Sequence, residues 1–552
     1  MNLANLGKAG ILVAQNRLQT AGHNINNSAT EGYNRQSVLV QTAGATPTAN
    51  GWIGRGVLAV SVQRAYDGFL YRQLTESQTK GAALATYGNQ IGKIDNLLAD
   101  RTVGIAPALE AFFDSIQAVA TSPADSAARQ ELLGRANSLA TQIRNANAFL
   151  DEQRADVNQQ ISTTVTQINS YLDRIQDLNR QIVIAKAVVP GQPPNDLLDQ
   201  RDQLVAELGQ LVDIEVFEQD DRVNITVGNG QVVLGGDSVF HLGVQPSADD
   251  PSRLSVNYAV PDGAGGVTRV EMKDSLITGG KLGGLLQFRR EALDTVQNDL
   301  GRMAAGLALA VNEIHRQGYD LSGVPGGDVF GIAGPKVIRG ETNAVGADPA
   351  VTITDVGQLT AQDYRISYDG AGYTVTRVSD GAVAAAGTGI LSFDGIEIDF
   401  TGMTAAAGDH WLVQPTRDVA GSLQVVLGDP GKIAAAGESA PGIGAGSANG
   451  DAALKLAALQ TDKVLGNGSM SLNEAYAQLV NKVGVMAQQN TTAQKAQNAL
   501  IQQNYAAQQA LSGINLDEEY MNLDQYQEQF RAASRLIDVS STLFDTLLSL
   551  RS

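Results

Sequence analysis

An apolar stripe near the C-terminus constrains this chain more than any other feature of its sequence. Its residues recur at alternating steps of three and four, which is the spacing of a coiled-coil seam. They are Leu523, Tyr526, Phe530, Ala533, Ile537, Ser540, Phe544 and Leu547. Around and past Ile537 the apolar face is widened by Leu536, Val539, Leu543, Leu548 and Leu550. A face of this width predicts a helix that is buried against more than one neighbour.

A second seam lies at the N-terminus, where residues 1–27 carry only Lys8 and Arg17 as fixed charges. The same alternation is followed here by Ala4, Gly7, Ile11, Ala14, Leu18, Ala21 and Ile25. Helices with such exposed stripes are marginal alone in water, so each needs a partner. The two helices can form an ordinary intramolecular core, or they can assemble with other chains. The width of the C-terminal face favours assembly.

Composition and charge disfavour several classes of function. Asp and Glu number 58 against 39 Lys and Arg, and the net charge of -19 disfavours nucleic acid or an anionic membrane as partner. The chain has no cysteine, which excludes disulfides, thiolate nucleophiles and thiolate metal sites. Its histidines, His23, His241, His315 and His410, show no metal-ligand spacing. We therefore expect no catalytic residue, no cofactor and no metal.

The length of the chain predicts several domains. At 552 residues it exceeds what one hydrophobic core usually supports. No stretch is apolar enough to span a bilayer. The polar residues 15–17 interrupt the short apolar run that precedes them, so we expect no cleaved signal peptide.

Periodicity along the chain predicts an α+β multidomain protein, with coiled-coil-like terminal helices and a helical bundle that carries inserted β-rich domains. Residues 1–66 with 515–552 form the predicted inner helical layer. Residues 67–340 with 451–514 form a helical middle domain, with a β-rich part at 213–275. Residues 341–450, rich in Gly, Ala, Thr and Val, form an inserted β domain that faces outward.

Short motifs at both ends resemble those of the axial proteins of the bacterial flagellum. The N-terminal motif comprises Asn24, Ile25, Asn27, Gly32, Tyr33, Arg35 and Gln36. The C-terminal motif comprises Asp517, Glu518, Glu519, Asn522 and Leu523. A third segment, from Gly283 to Gly323, is similar to the members of this family that join the hook to the filament.

The resemblance implies a structural subunit that catalyses nothing and forms a ring between hook and filament. It implies contacts with further copies, with the hook protein and with hook-associated protein 3. It also implies export by the flagellar type III apparatus, an extracellular location in the flagellum, and an export chaperone on the C-terminal helix. The expected assembly interface comprises Ile11, Leu18, Ile25, Leu523, Tyr526, Phe530, Ile537, Phe544 and Leu547.

Two other functions stay open at this point. The first is a rod, hook or filament subunit with different neighbours. The second is an extracellular adhesin or glycan-active protein that acts through residues 341–450. A pair of carboxylates converging in a groove of that region would favour the second function.

Overall fold

The computed structural model describes residues 3–49, 51–99, 104–261, 266–344 and 346–550. Residues 1, 2, 50, 551 and 552 of the predicted terminal layer lie outside these ranges. The helices are α1 (Leu3–Asn26), α2 (Gly68–Leu98), α3 (Ile105–Thr121), α4 (Ser126–Val188), α5 (Asn195–Leu211), α6 (Gly280–Phe288), α7 (Asp294–Gln317), α8 (Val419–Ser422), α9 (Asp451–Ala458), α10 (Leu472–Ser512) and α11 (Leu516–Ser549). A π-helical turn at Arg289–Leu293 joins α6 to α7, and 3-10 turns lie at Asp274–Leu276 and Pro430–Lys432.

Strands fill the intervals between the helices. They are β1 (Gln36–Thr42), β2 (Ala45–Thr48), β3 (Gly51–Gly54), β4 (Val57–Arg64), β5 (Ile214–Gln219), β6 (Arg222–Val227), β7 (Gln231–Gly235), β8 (Ser238–Val239), β9 (Leu242–Pro246), β10 (Leu254–Pro261), β11 (Val267–Glu271), β12 (Phe330–Gly331), β13 (Lys336–Arg339), β14 (Ala350–Ile353), β15 (Tyr364–Tyr368), β16 (Tyr373–Arg377), β17 (Val383–Gly387), β18 (Ile390–Phe393), β19 (Ile396–Asp399), β20 (His410–Gln414), β21 (Gln424–Val425), β22 (Glu438–Ala440) and β23 (Ile443–Gly444). The predicted α+β multidomain class is confirmed.

The terminal helices α1 and α11 pack side by side and run antiparallel. Gly7, near the start of α1, lies against Ile537, whereas Asn24, near its end, bonds to Glu519. Strands β1 and β4 form an antiparallel hairpin that packs on α1. Strands β2 and β3 extend that hairpin beyond its β1–β4 part. These elements belong to residues 1–66 and 515–552, for which an inner helical layer stays a prediction.

The long helix α4 is the central element of the helical middle part. Asp125 caps it by accepting a hydrogen bond from the Ala127 amide, and it ends at Val188, shortly before Pro190. A heptad face from Ile161 to Ile182 is buried, including its one polar member, Asn179. The Asn179 side chain donates to the Val223 carbonyl (2.9 Å) and accepts from the Val223 amide (3.1 Å). The polar residue in the heptad therefore fixes the sheet β5–β8 onto the helix.

Helix α6 begins at Gly280 and leads through the π-helical turn into α7. Gly280 has φ +67°, and a Cβ there would lie 2.4 Å from the Val212 nitrogen. Only glycine fits this backbone and this close approach. Helix α2 packs along α6 on one side and along α10 on another.

The insert between α7 and α8 consists of two antiparallel sheets. One has the strand order β13-β20-β15-β16-β17 and the other β14-β19-β18. Alternate residues of β16 and β19 are buried, and the Tyr373 ring stacks on Phe400 with centroids 3.9 Å apart. Lys336 pairs with Gln414, so the chain enters and leaves the insert through adjacent strands.

Residues 416–450 pack on the helical part of the molecule. Strand β21 pairs with β12, Tyr319 bridges to Ala436, and α8 contacts α4 and α7. The domain limits given above stay a prediction. These contacts favour an upper limit near residue 415 for the insert, instead of 450.

Glycine is required where α7 meets the end of the insert, and this contact gives a first testable prediction. A Cβ on Gly301 would lie 1.8 Å from the Thr416 carbonyl oxygen. We expect Gly301→Ala to lower the free energy of unfolding by about 1 to 3 kcal/mol, because α7 and the backbone at Thr416 must move apart to admit the methyl group. The matched control is Gly134→Ala on exposed helical backbone with no neighbour within 4 Å. This control is expected to raise that free energy by about 0.5 to 1 kcal/mol in urea denaturation. Equal effects of the two variants would contradict the conclusion that glycine is required at position 301.

Candidate assembly interface

The end motifs converge on one buried side chain, Glu519, which is 2% exposed. Its Oε1 accepts from Arg35 Nε at 2.8 Å, and its Oε2 accepts from Asn24 Nδ2 at 3.1 Å. Arg35 also pairs with Glu518 at 2.8 Å. Residues nearly 500 positions apart in the chain thus form one polar cluster, which we call the terminal clasp (Asn24, Tyr33, Arg35, Gln36, Glu518 and Glu519).

Asn24 is the centre of the N-terminal half of the clasp. Its side-chain oxygen accepts from the Tyr33 hydroxyl and from the Gln36 amide, both at 2.9 Å. The pKa of Tyr33 is raised above its usual value, chiefly by burial and in smaller part by the carboxylates of Asp196, Asp199 and Glu519. The phenol therefore stays protonated at neutral pH and can donate this bond.

The Arg35 guanidinium stays charged in the clasp. Burial lowers its pKa, but the neighbouring carboxylates of Glu518 and Glu519 outweigh burial and raise the pKa overall. Asn515 caps α11 by accepting from the amides of Asp517 and Glu518. Acidic residues in the first turn are also favoured by the helix dipole. The first turn of α11 is therefore held to the chain that follows α1.

The remaining motif residues lie around the clasp. Gly32 has φ +78° and lies against the Gln203 side chain, and Asn27 bonds to His23. Ile25, Asn522 and Leu523 are half-buried. The Asp517 side chain is exposed, and its amide is the part that bonds to the Asn515 cap.

A row of carboxylates on α5 holds the loop after α1, and sequence reasoning missed it. Asp199 accepts from the Asn34 amide (2.9 Å) and from Arg64 (2.7 Å), while Asp196 accepts from Gln36 Nε2 (2.7 Å). Arg64 also lies 2.7 Å from Asp202. The spacing of three residues between these aspartates places them on one helix face, and that spacing is the signal that could have revealed the row.

The predicted seam residues differ in burial. Gly7, Ala14 and Ala21 of α1 and Ala533 and Ser540 of α11 are buried. The larger residues Ile11, Leu18, Ile25, Leu523, Tyr526, Phe530 and Ile537 are half-buried. The structure brings these together in the α1–α11 layer, where small residues permit close approach of the backbones.

Phe544 and Leu547 do not share in this contact. They are 62% and 66% exposed, because α11 continues beyond the start of α1. Val539, Leu543, Leu548 and Leu550 are exposed beside them. We call this set of six residues the α11 end. Its contiguous apolar surface has no cover in the part of the chain that the structure describes.

A second polar cluster joins the insert to the helical part. Arg417 pairs with Asp363 of the insert and lies 3.4 Å from Asp250 and 3.5 Å from Asp294. Arg154 and Arg253 bind the same Asp294 at 2.8 and 2.9 Å. We call these six residues the ionic joint.

The carboxylates of the ionic joint differ in pKa. Burial alone would raise the pKa of Asp294, but Arg253, Arg417 and Arg154 hold it far below its usual value. Burial raises the pKa of Asp363 despite its pairing with Arg417. The carboxylates beside the insert are bound by arginines, which suits a structural joint. In the described ranges no group of three His, Cys, Asp or Glu side chains could hold a metal.

Comparison with known proteins identifies the family. The model of the flagellar hook-associated protein FlgK helical domain matches residues 91–330, and that of the flagellar hook-associated protein 1 D2-like domain matches residues 340–415. Flagellar hook-associated protein 1 of Escherichia coli K12 is 38% identical over the whole of both chains. The chain belongs to the flagellar hook-associated protein 1 family.

Other members of the flagellar hook-associated protein 1 family agree in extent and in fold. The Bacillus subtilis protein of that name is 25% identical over 97% of this chain and 95% of its own. The solved structure of the flagellar hook junction protein FlgK from Burkholderia pseudomallei is 29% identical, with a TM-score of 0.73 over 80% of this chain and all of that chain. Membership makes this chain a structural component of the flagellum. No helix among the described residues is long and apolar enough to cross a membrane.

The terminal clasp gives a second prediction. Glu519→Ala removes a buried carboxylate that binds both Arg35 and Asn24, and we expect a loss of about 1.5 to 3 kcal/mol in the pairing of α1 with α11. Hydrogen exchange should therefore become roughly tenfold or more faster in both helices. Glu518→Gln, which changes a half-exposed partner of the same arginine, is the control and should cost less than about 1 kcal/mol. Unchanged exchange in Glu519→Ala would show that the clasp does not hold the helices.

Proposed function

We propose that this protein is a structural subunit of the junction between hook and filament, and that it assembles with further copies through its terminal helices. The observation that carries this proposal is the length difference between the paired helices. Helix α11 continues past the start of α1 and exposes the apolar α11 end. Single exposed apolar residues are ordinary on protein surfaces, but a contiguous terminal set is typical of an interface.

The half-buried seam supports the same proposal. Two helices leave Ile11, Leu18 and Phe530 only partly covered. Full burial of a large apolar side chain contributes roughly 1.5 to 3 kcal/mol, and part of that contribution is unrealised in the single chain. Packing of further helices on the α1–α11 layer would supply it.

The neighbours in the axis follow from the family resemblance. A junction subunit contacts the hook protein on one side and hook-associated protein 3 on the other. The absence of cysteine suits unfolded passage through the flagellar type III export apparatus to the extracellular flagellum. An export chaperone on α11 would keep the α11 end covered until assembly.

Removal of the insert tests where the assembly surface lies. Lys336 and Gln414 are paired neighbours, so a short Gly-Ser turn can replace residues 338–412. We expect the shortened chain to enter flagella and to restore motility in cells that lack the full-length protein. Immunogold labelling should place it between hook and filament. If the shortened chain folds but is not incorporated into flagella, the assembly surface must lie on the insert.

A further inference from the structure

The hairpin β1–β4, with its extension β2–β3, carries a second exposed apolar surface in the terminal layer. Trp52, at its tip, is 75% exposed. The exposed large apolar residues of the hairpin and its extension are Leu39, Trp52, Ile53, Leu58 and Val60. Trp52 and Ile53 are successive strand residues, so their side chains lie on opposite faces of the ribbon. Tryptophan is among the residues that most often anchor protein interfaces, and a two-stranded ribbon also leaves strand edges unpaired.

The charges of the two exposed surfaces are opposite. Residues 36–63 contain a single fixed charge, Arg55, which is exposed beside Trp52 and has no ion pair among the described residues. Between residues 538 and 550 of α11 the fixed charges are Asp538 and Asp545, both exposed and likewise without an ion pair in the described ranges. Arg535 lies one turn before them, and Arg551 is next in the sequence. An arginine and carboxylates that lack partners at neighbouring apolar surfaces are complementary across a contact.

Both surfaces lie near the N-terminal end of α1. Gly56 of the hairpin lies against Leu6 of α1, and Gly7 lies against Ile537 of α11. The hairpin and α11 thus both pack near the start of α1, yet Trp52 and Phe544 remain exposed. Within one chain neither surface covers the other.

We infer that the hairpin of one copy docks on the α11 end of the next copy, with Arg55 facing Asp545. The inference rests on the proposed function, because it requires copies of the chain side by side. Two different complementary surfaces on one subunit give a heterologous contact, which repeats around a ring or along a helix. A second copy is favoured as occupant because both halves of the contact belong to this chain and lie level with each other.

Cysteine cross-linking in assembled flagella tests the contact directly. The chain has no cysteine of its own, so Trp52→Cys with Leu547→Cys introduces the only pair. Mild oxidation should produce a ladder of dimers, trimers and larger multiples of this chain. The control pair, Ser379→Cys with Leu547→Cys, places the first cysteine on an exposed turn of the insert and should stay monomeric.

Three cross-linking results would overturn the inference. The first is a double variant that stays as monomeric as the control. The second is dimers from Trp52→Cys alone, which would indicate a symmetric contact of hairpin with hairpin. The third is a product whose mass is no multiple of this chain, which would identify another protein as occupant.

Charge reversal gives an independent measurement. Arg55→Glu should lower incorporation into flagella at least tenfold, and the added change Asp545→Arg should restore it. Circular dichroism of the soluble variants should be unchanged, since both side chains are exposed. Failure of Asp545→Arg to restore incorporation would exclude this pairing. If Phe544→Asp prevents incorporation while the cysteine pair does not cross-link, the result supports the proposed function. The same result excludes the contact between the hairpin and the α11 end.

Discussion

Phe544→Asp should abolish incorporation into flagella while leaving the free energy of unfolding of the soluble chain within about 0.5 kcal/mol of its original value. The side chain is 62% exposed, so the soluble chain loses little packing. In the assembly that side chain would be buried, and an unpaired buried carboxylate costs several kcal/mol. Incorporation is measured by quantifying the protein in sheared, purified flagella, and stability by urea denaturation.

Thr542→Asp is the matched control for this prediction. It adds the same charge in the same part of α11 at another exposed position, which lies on the side of the helix opposite Phe544 and beside Asp545. Incorporation of Thr542→Asp should stay within about twofold of the unchanged chain, since a charge at the rim of an interface costs little. Normal incorporation of Phe544→Asp, or equal loss in both variants, would contradict the role of the α11 end.

Arg417→Met should destabilise the chain by about 3 to 5 kcal/mol, because removing one partner from a buried ionic cluster leaves the others without compensation. Arg417 is 4% exposed and faces carboxylates from three parts of the chain, Asp250, Asp294 and Asp363. The emission of Trp411 reports on this loss in urea, since that indole is buried in the insert and donates to Asp348.

Two further variants distinguish the effect of losing a buried partner in the ionic joint from the effect of losing an exposed ion pair. Arg180→Met removes an exposed pair with Asp177 and should cost less than about 1 kcal/mol. Adding Asp363→Asn to Arg417→Met should recover part of the stability, because it removes one uncompensated carboxylate. If Arg417→Met were as stable as the unchanged chain, the insert would be held by packing alone.

Local periodicity predicted the terminal helices well. The three-four spacing located α1 and α11, and the widened face past Ile537 indicated the uncovered α11 end. In α4 the polar Asn179 interrupts an apolar heptad face, and the structure gives the reason, which is its pair of bonds to Val223. Such patterns are visible because each repeats within a few turns of one helix.

Features that depend on distant residues were not predictable in this way. Asn24 and Glu519 meet although 495 positions separate them, and no spacing rule relates them. The contacts that favour an upper limit near residue 415 for the insert join β21 to β12 and Tyr319 to Ala436, whereas composition stays similar as far as residue 450.

Hydrogen exchange of the soluble chain and of the same chain in purified flagella distinguishes assembly through the α11 end from an ordinary intramolecular pair of helices. We expect intermediate protection of residues 516–537 in the soluble chain, where α11 pairs with α1, and rapid exchange of residues 539–550. In flagella both segments should become strongly protected, with the larger change in residues 539–550. Full protection of residues 539–550 in the soluble chain, or rapid exchange there in flagella, would contradict assembly through the α11 end.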